Sequence, residues 1–179
     1  MQKVAGRSFR GRASNTFASP LLRAYWEHQR AELVGSLETL LTHPMGFGLT
    51  TATPLQRQLA RLVDGAPNLD PTSPELVEAC GDVSHLVGVR PREVTIVAAI
   101  RSAKTMLSAA AAVRMTQTVD LTGLGHGEIP RVPILSLDLD LAQVAHQHLA
   151  GTVMASPVLR QLLVEPPKSD SLMLYHPSG

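Results

Sequence analysis

Apolar positions return at helical spacing from a proline-marked start. Ser19-Pro20 places an N-cap residue before a proline at the first helical position. Leu21, Leu22, Tyr25, Trp26, Leu33, Leu37, Leu40 and Leu41 then recur on one stripe, with Arg23, Glu27, Arg30 and Glu38 between them. The pattern predicts one helix that runs until His43-Pro44 and Gly46 stop it. Thr53-Pro54 starts a second helix, with Leu55, Leu59, Leu62 and Val63 on one face and Asp64-Gly65-Ala66-Pro67 at its end. Ser73-Pro74-Glu75 opens a third, which Cys80-Gly81 closes.

The pattern changes after Gly88. Residues 94–99 are β-branched and apolar on both faces, which predicts a strand buried on both sides, as in a parallel sheet. A helix from 104 to about 119 follows, then a loop with Gly123, Gly125 and Gly127, and a second strand over 132–137. Asp138 or Asp140 caps a helix that carries Leu141, Val144, Ala145, Leu149 and Val153. A helical turn at 159–164 and a third strand at 172–175 complete the series. Strand, helix, strand, helix, strand predicts a parallel sheet with right-handed crossovers. The expected class is therefore α/β, a P-loop NTPase-type sheet with flanking helices behind a helical N-terminal segment. The expected divisions are a disordered basic tail at 1–18, an N-terminal helix at 19–45 and part of an ATPase domain at 46–179.

The junction between the first strand and its helix carries the candidate chemistry. Ala98-Ala99-Ile100-Arg101-Ser102-Ala103-Lys104-Thr105 has the layout of a phosphate-binding loop, with alanine where that pattern has glycine at positions 98 and 103. Such a loop turns backbone N–H groups toward a phosphate at a helix N-terminus. Lys104 would reach the β- and γ-phosphates and Thr105 would hold Mg²⁺. Glycine serves there because it accepts positive φ and close approach. Alanine is the least costly replacement, and Ala103 is the position where strain is expected.

The stretch Arg101-Ser102-Ala103-Lys104-Thr105 resembles the Arg-Ser-Gly-Lys-Thr loop of phage terminase large subunits, the motors that package DNA. Thr53-Pro54-Leu55-Gln56 resembles the upstream adenine-recognising glutamine motif of the same ATPases, and residues 131–140 resemble their second strand and the helix after it. The resemblance implies ATP and Mg²⁺ as cofactors. It implies that Gln56 reads the adenine edge and that Arg101 stabilises charge at the γ-phosphate during hydrolysis. Implied partners are double-stranded DNA, the portal and the small terminase subunit, in the host cytoplasm if the chain is phage-encoded. The family's next strand ends in Asp-Glu and supports magnesium and the attacking water. No such segment follows Tyr175, so the isolated chain is expected to hydrolyse ATP poorly. Asp138, at the end of the second predicted strand, is the local candidate for magnesium, against its competing reading as a helix N-cap.

Composition narrows the alternatives. Only 3% of residues are aromatic, so the core must be built from Leu, Val, Ala and Ile. A net charge of +1 gives no strong overall field toward nucleic acid, although Lys3, Arg7, Arg10 and Arg12 make the first residues basic. Cys80 is the single cysteine, so no internal disulfide can form. No apolar run approaches the length of a membrane span. His146 and His148 are two apart and point to different sides of a helix, which disfavours a shared metal. Two rival functions stay open: a compact P-loop kinase or transferase complete within the chain, and a non-enzymatic α/β interaction module.

Overall fold

The computed structural model describes residues 19–98, 103–125, 128–136 and 138–178. Six α-helices are present among them: α1 (Pro20–Val34), α2 (Leu37–Thr42), α3 (Pro54–Asp64), α4 (Pro74–Cys80), α5 (Lys104–Thr118) and α6 (Leu139–Ala155). Short 3-10 turns lie at Ser84–Leu86 and Leu159–Leu162. The proline-marked starts hold. Ser19 Oγ accepts from the Leu21 N–H, and Thr53 and Gln56 form a reciprocal capping box at the start of α3. Ser73 precedes α4 without a side-chain cap, while Asp138 caps α6 by accepting from the Asp140 N–H.

The helix predicted over the first stripe is broken. Gly35 and Ser36 separate α1 from α2, and Ser36 turns to extended backbone (φ −141°, ψ 152°) to cap α2 through its hydroxyl. α2 packs on α1, α3 and α5, and α5 packs on α6. Leu37, Leu40 and Leu41 of α2 are buried with Leu33 and Val34 of α1, Leu107, Ala110 and Val113 of α5, Leu149 and Val153 of α6, and Leu159 and Leu162. The segment predicted to stand apart at 19–45 thus joins the same core as the helices after residue 100. A smaller cluster of Leu62, Leu69, Leu76 and Val83 seats α4 against α3.

The predicted parallel sheet is a correction. The described residues contain no strand, and their only bridge is an antiparallel one between Leu163 and Leu174. Residues 92–97 and 131–136 are exposed, with Val97 at 96% and Leu135 at 88% of full exposure. A strand apolar on both faces needs a layer on each side. Here the helices bury their apolar faces against one another and leave these segments uncovered, so the architecture is helical and not α/β. The third predicted strand, at 172–175, folds back on the turn before it: the Val164 N–H donates to the Met173 carbonyl (3.0 Å) and the Tyr175 N–H to that of Leu162 (2.7 Å).

Gly65 closes α3 in the left-handed conformation (φ 65°), and a Cβ there would run into the backbone of Val89 and Arg90. Gly65→Ala is expected to cost more than about 1 kcal/mol, from left-handed strain plus the clash. Urea unfolding monitored by far-UV circular dichroism measures this, and the same spectra check that helix dominates over strand.

Candidate functional site

α5 begins differently from the other helices. Its N-cap, Ala103, adopts the left-handed conformation (φ 61°, ψ 17°) and is the one non-glycine residue with positive φ among the described residues. An alanine held there carries strain of roughly 1–2 kcal/mol. This is the position at which the phosphate-loop pattern has glycine, the residue that accepts positive φ freely. The first N–H groups of a helix have no intrahelical acceptor, and Ala103 offers no capping side chain. The first turn also contains no acid, whereas α2, α4 and α6 carry Glu38, Glu75 and Asp140 there.

Lys104 places a cation at the positive end of the helix dipole, which is unfavourable for the helix alone. Its side chain is exposed, and Nζ donates to the Ala98 carbonyl at 3.1 Å. The ammonium group is therefore held by the main chain six residues before it. Thr105 is half-buried in the opening turn of α5. The helix is anchored behind this turn by Leu107, Ala109 and Ala110, all buried. A cationic side chain, a helix N-terminus without a side-chain cap and the lack of a first-turn acid make this end of α5 suited to an anion.

The remaining predicted site residues separate into two groups. Ala99, Ile100, Arg101 and Ser102 lie outside the described residues, as do the basic tail, His126 and Gly127. Gln56 is half-buried on α3, where Oε1 accepts from the Thr53 N–H at 2.8 Å and its own N–H donates to Thr53 Oγ1 at 3.2 Å. Asp138 is exposed, and its Oδ1 accepts from the Asp140 N–H at 2.9 Å, the geometry of a helix cap. No group of three or more His, Cys, Asp or Glu among the described residues could hold a metal ion. No helix among them is long and apolar enough to cross a membrane.

Sequence reasoning missed the polar ties between helices. Arg61 of α3 grips Glu38 of α2 through two hydrogen bonds (2.6 and 3.0 Å), and this contact raises the arginine pKa above its ordinary value. Arg114 of α5 meets Asp64 at the end of α3, with Nε 3.2 Å from Oδ1. Gln117 is buried in α5 and donates to the Tyr175 carbonyl at 2.9 Å. Ser156 Oγ donates to the Met45 carbonyl and accepts from the Leu159 N–H. Apart from the local Ser156–Leu159 contact, these partners stand 23 to 111 residues apart in the chain, and no local pattern announces them. The chain matches no family model, no curated protein and no solved structure.

Asp138 separates its two readings by substitution. Asparagine caps a helix about as well as aspartate, and alanine does not. Asp138→Asn is expected to leave stability unchanged, while Asp138→Ala lowers it by about 1 kcal/mol in urea unfolding.

Proposed function

We propose that the turn into α5 binds the triphosphate of ATP with Mg²⁺, as the nucleotide-binding part of a DNA-packaging motor of the terminase large-subunit type. The observation that carries this reading is the Lys104 ammonium donating to the Ala98 carbonyl, at the start of a helix whose N-cap is left-handed and makes no side-chain cap. The parallel sheet is no part of the proposal, which needs only the turn and its helix. Lys104 binds the β/γ-phosphate oxygens as a point charge. The N–H groups at the start of α5 bind the same phosphates through their dipoles. The Thr105 hydroxyl holds Mg²⁺, and Arg101 offsets charge at the γ-phosphate. Double-stranded DNA, the portal and the small terminase subunit are the partners on this reading.

The non-enzymatic interaction module remains a second reading because one observation favours it. Val94, Ile96, Val97, Ile129, Ile134 and Leu135 are large apolar residues exposed outside the helices. Exposed apolar residues that gather into a patch mark contact with another molecule.

Isothermal titration calorimetry with ATP and Mg²⁺ decides between them. Saturable binding is expected. Lys104→Ala is expected to weaken it at least tenfold, as loss of one charge-assisted contact of roughly 1.5–3 kcal/mol requires. No binding heat, with no difference between the chain and Lys104→Ala, would leave the interaction module as the better reading. Ala103→Gly gives an independent check. It is expected to stabilise the chain by about 1 kcal/mol, because glycine carries no penalty at this φ, and to preserve or tighten ATP binding.

A further inference from the structure

The break between α1 and α2 falls where the apolar stripe is uninterrupted. Leu33, Leu37, Leu40 and Leu41 keep helical spacing across Gly35-Ser36, so the same residues are compatible with a continuous helix. In a continuous helix the Leu37 N–H would bond the Leu33 carbonyl, and the Gly35 carbonyl would accept from the Thr39 N–H. Both groups have other partners here. The Leu37 N–H donates to Asp64 Oδ2 at 3.2 Å. The Gly35 carbonyl accepts from Arg114 Nη2 at 3.0 Å. The Thr39 N–H is taken by Ser36 Oγ at 3.0 Å.

Asp64 and Arg114 also bind each other, and their side chains are only 9% and 16% exposed. One ion pair, from the end of α3 and the middle of α5, thus occupies two of the main-chain groups that a straight helix would satisfy internally. Gly35 is already in the right-handed helical conformation (φ −62°, ψ −32°), so straightening needs only Ser36 to leave its extended one. α1 also rests on the core and lines a cavity with Val158, Gln161 and Leu162, while its first turn is free of the interior. Leu21, Leu22 and Tyr25 are exposed, and its contacts with the core are made by Trp26, Leu33 and Val34.

We infer that the Asp64–Arg114 pair is a latch that selects the broken over the continuous α1–α2 helix and so couples the direction of α1 to the position of α5. On this inference the element has a second, continuous arrangement beside the broken one, and a separate part of the molecule biases the choice, which is the requirement for a conformational switch. The inference stands on the described contacts and does not require ATP binding.

Double electron–electron resonance on the full chain tests it. Spin labels are placed by His28→Cys on α1 and Glu78→Cys on α4, both exposed, in a Cys80→Ser background. Asp64→Asn combined with Arg114→Gln removes both charges, so no lone buried charge remains to unfold the chain. The label–label distance is expected to shift by more than about 5 Å, one helical pitch, or to split into two populations. The helical signal in far-UV circular dichroism is expected to rise with it. Arg114→Lys keeps the charge opposite Asp64 but loses the guanidinium fork that also reaches Gly35, and is expected to shift the distance in the same direction by less. A distance distribution unchanged in both Arg114→Lys and the double variant would overturn the latch, and if the double variant does not fold, an unchanged Arg114→Lys does so alone.

Discussion

The fold depends on the burial of α2. Six residues cannot hold a helix in water, because nucleation costs more than so few hydrogen bonds return. α2 exists because Leu37, Leu40 and Leu41 are almost completely buried among α1, α3, α5 and α6. Its polar rim is fixed by neighbours as well. Ser36 and Asp64 take up its first N–H groups, and Glu38 is gripped by Arg61. Asp64 and Arg61 both come from α3, and the apolar neighbours come from α1, α3, α5 and α6, so α2 is where the local stretches become one structure.

The helix starts were legible because their determinants are local. Ser19-Pro20, Thr53-Pro54 and Asp138 each satisfy a nearby N–H, or remove the need for one, within three residues. The break at Gly35-Ser36 was not legible for the opposite reason. Its hydrogen-bond partners, Asp64 and Arg114, lie 27 and 79 residues away, and the apolar stripe runs through it undisturbed. The sheet was misread from residues 94–99 and 132–137. β-branched apolar composition reports that a segment suits an extended, covered environment. It does not report whether two covering layers are present, and here the helices cover each other instead.

The candidate site was legible in part. Ala103 was marked as the strained position by the pattern, and it has the positive φ that a glycine would have supplied freely. Lys104 was read as a ligand for the β- and γ-phosphates, and the structure gives its Nζ a main-chain acceptor, the Ala98 carbonyl. Gln56 carries a local role that the pattern Thr-Pro-Leu-Gln shares with many helix starts: its amide oxygen is committed to the Thr53 N–H. A base approaching this residue would compete with a cap that holds the first turn of α3.

Trp26 is the chain's single tryptophan and sits edge-on to Tyr25, with ring centroids 5.5 Å apart. Both rings ride on α1, whose buried residues, Leu33 and Val34, lie at its C-terminal end. Ultraviolet emission from this protein is therefore a local gauge of how α1 is seated, with the neighbouring phenol feeding excitation to the indole. An optical melting curve and a calorimetric one would part company wherever that helix lifts away before the remaining bundle gives way.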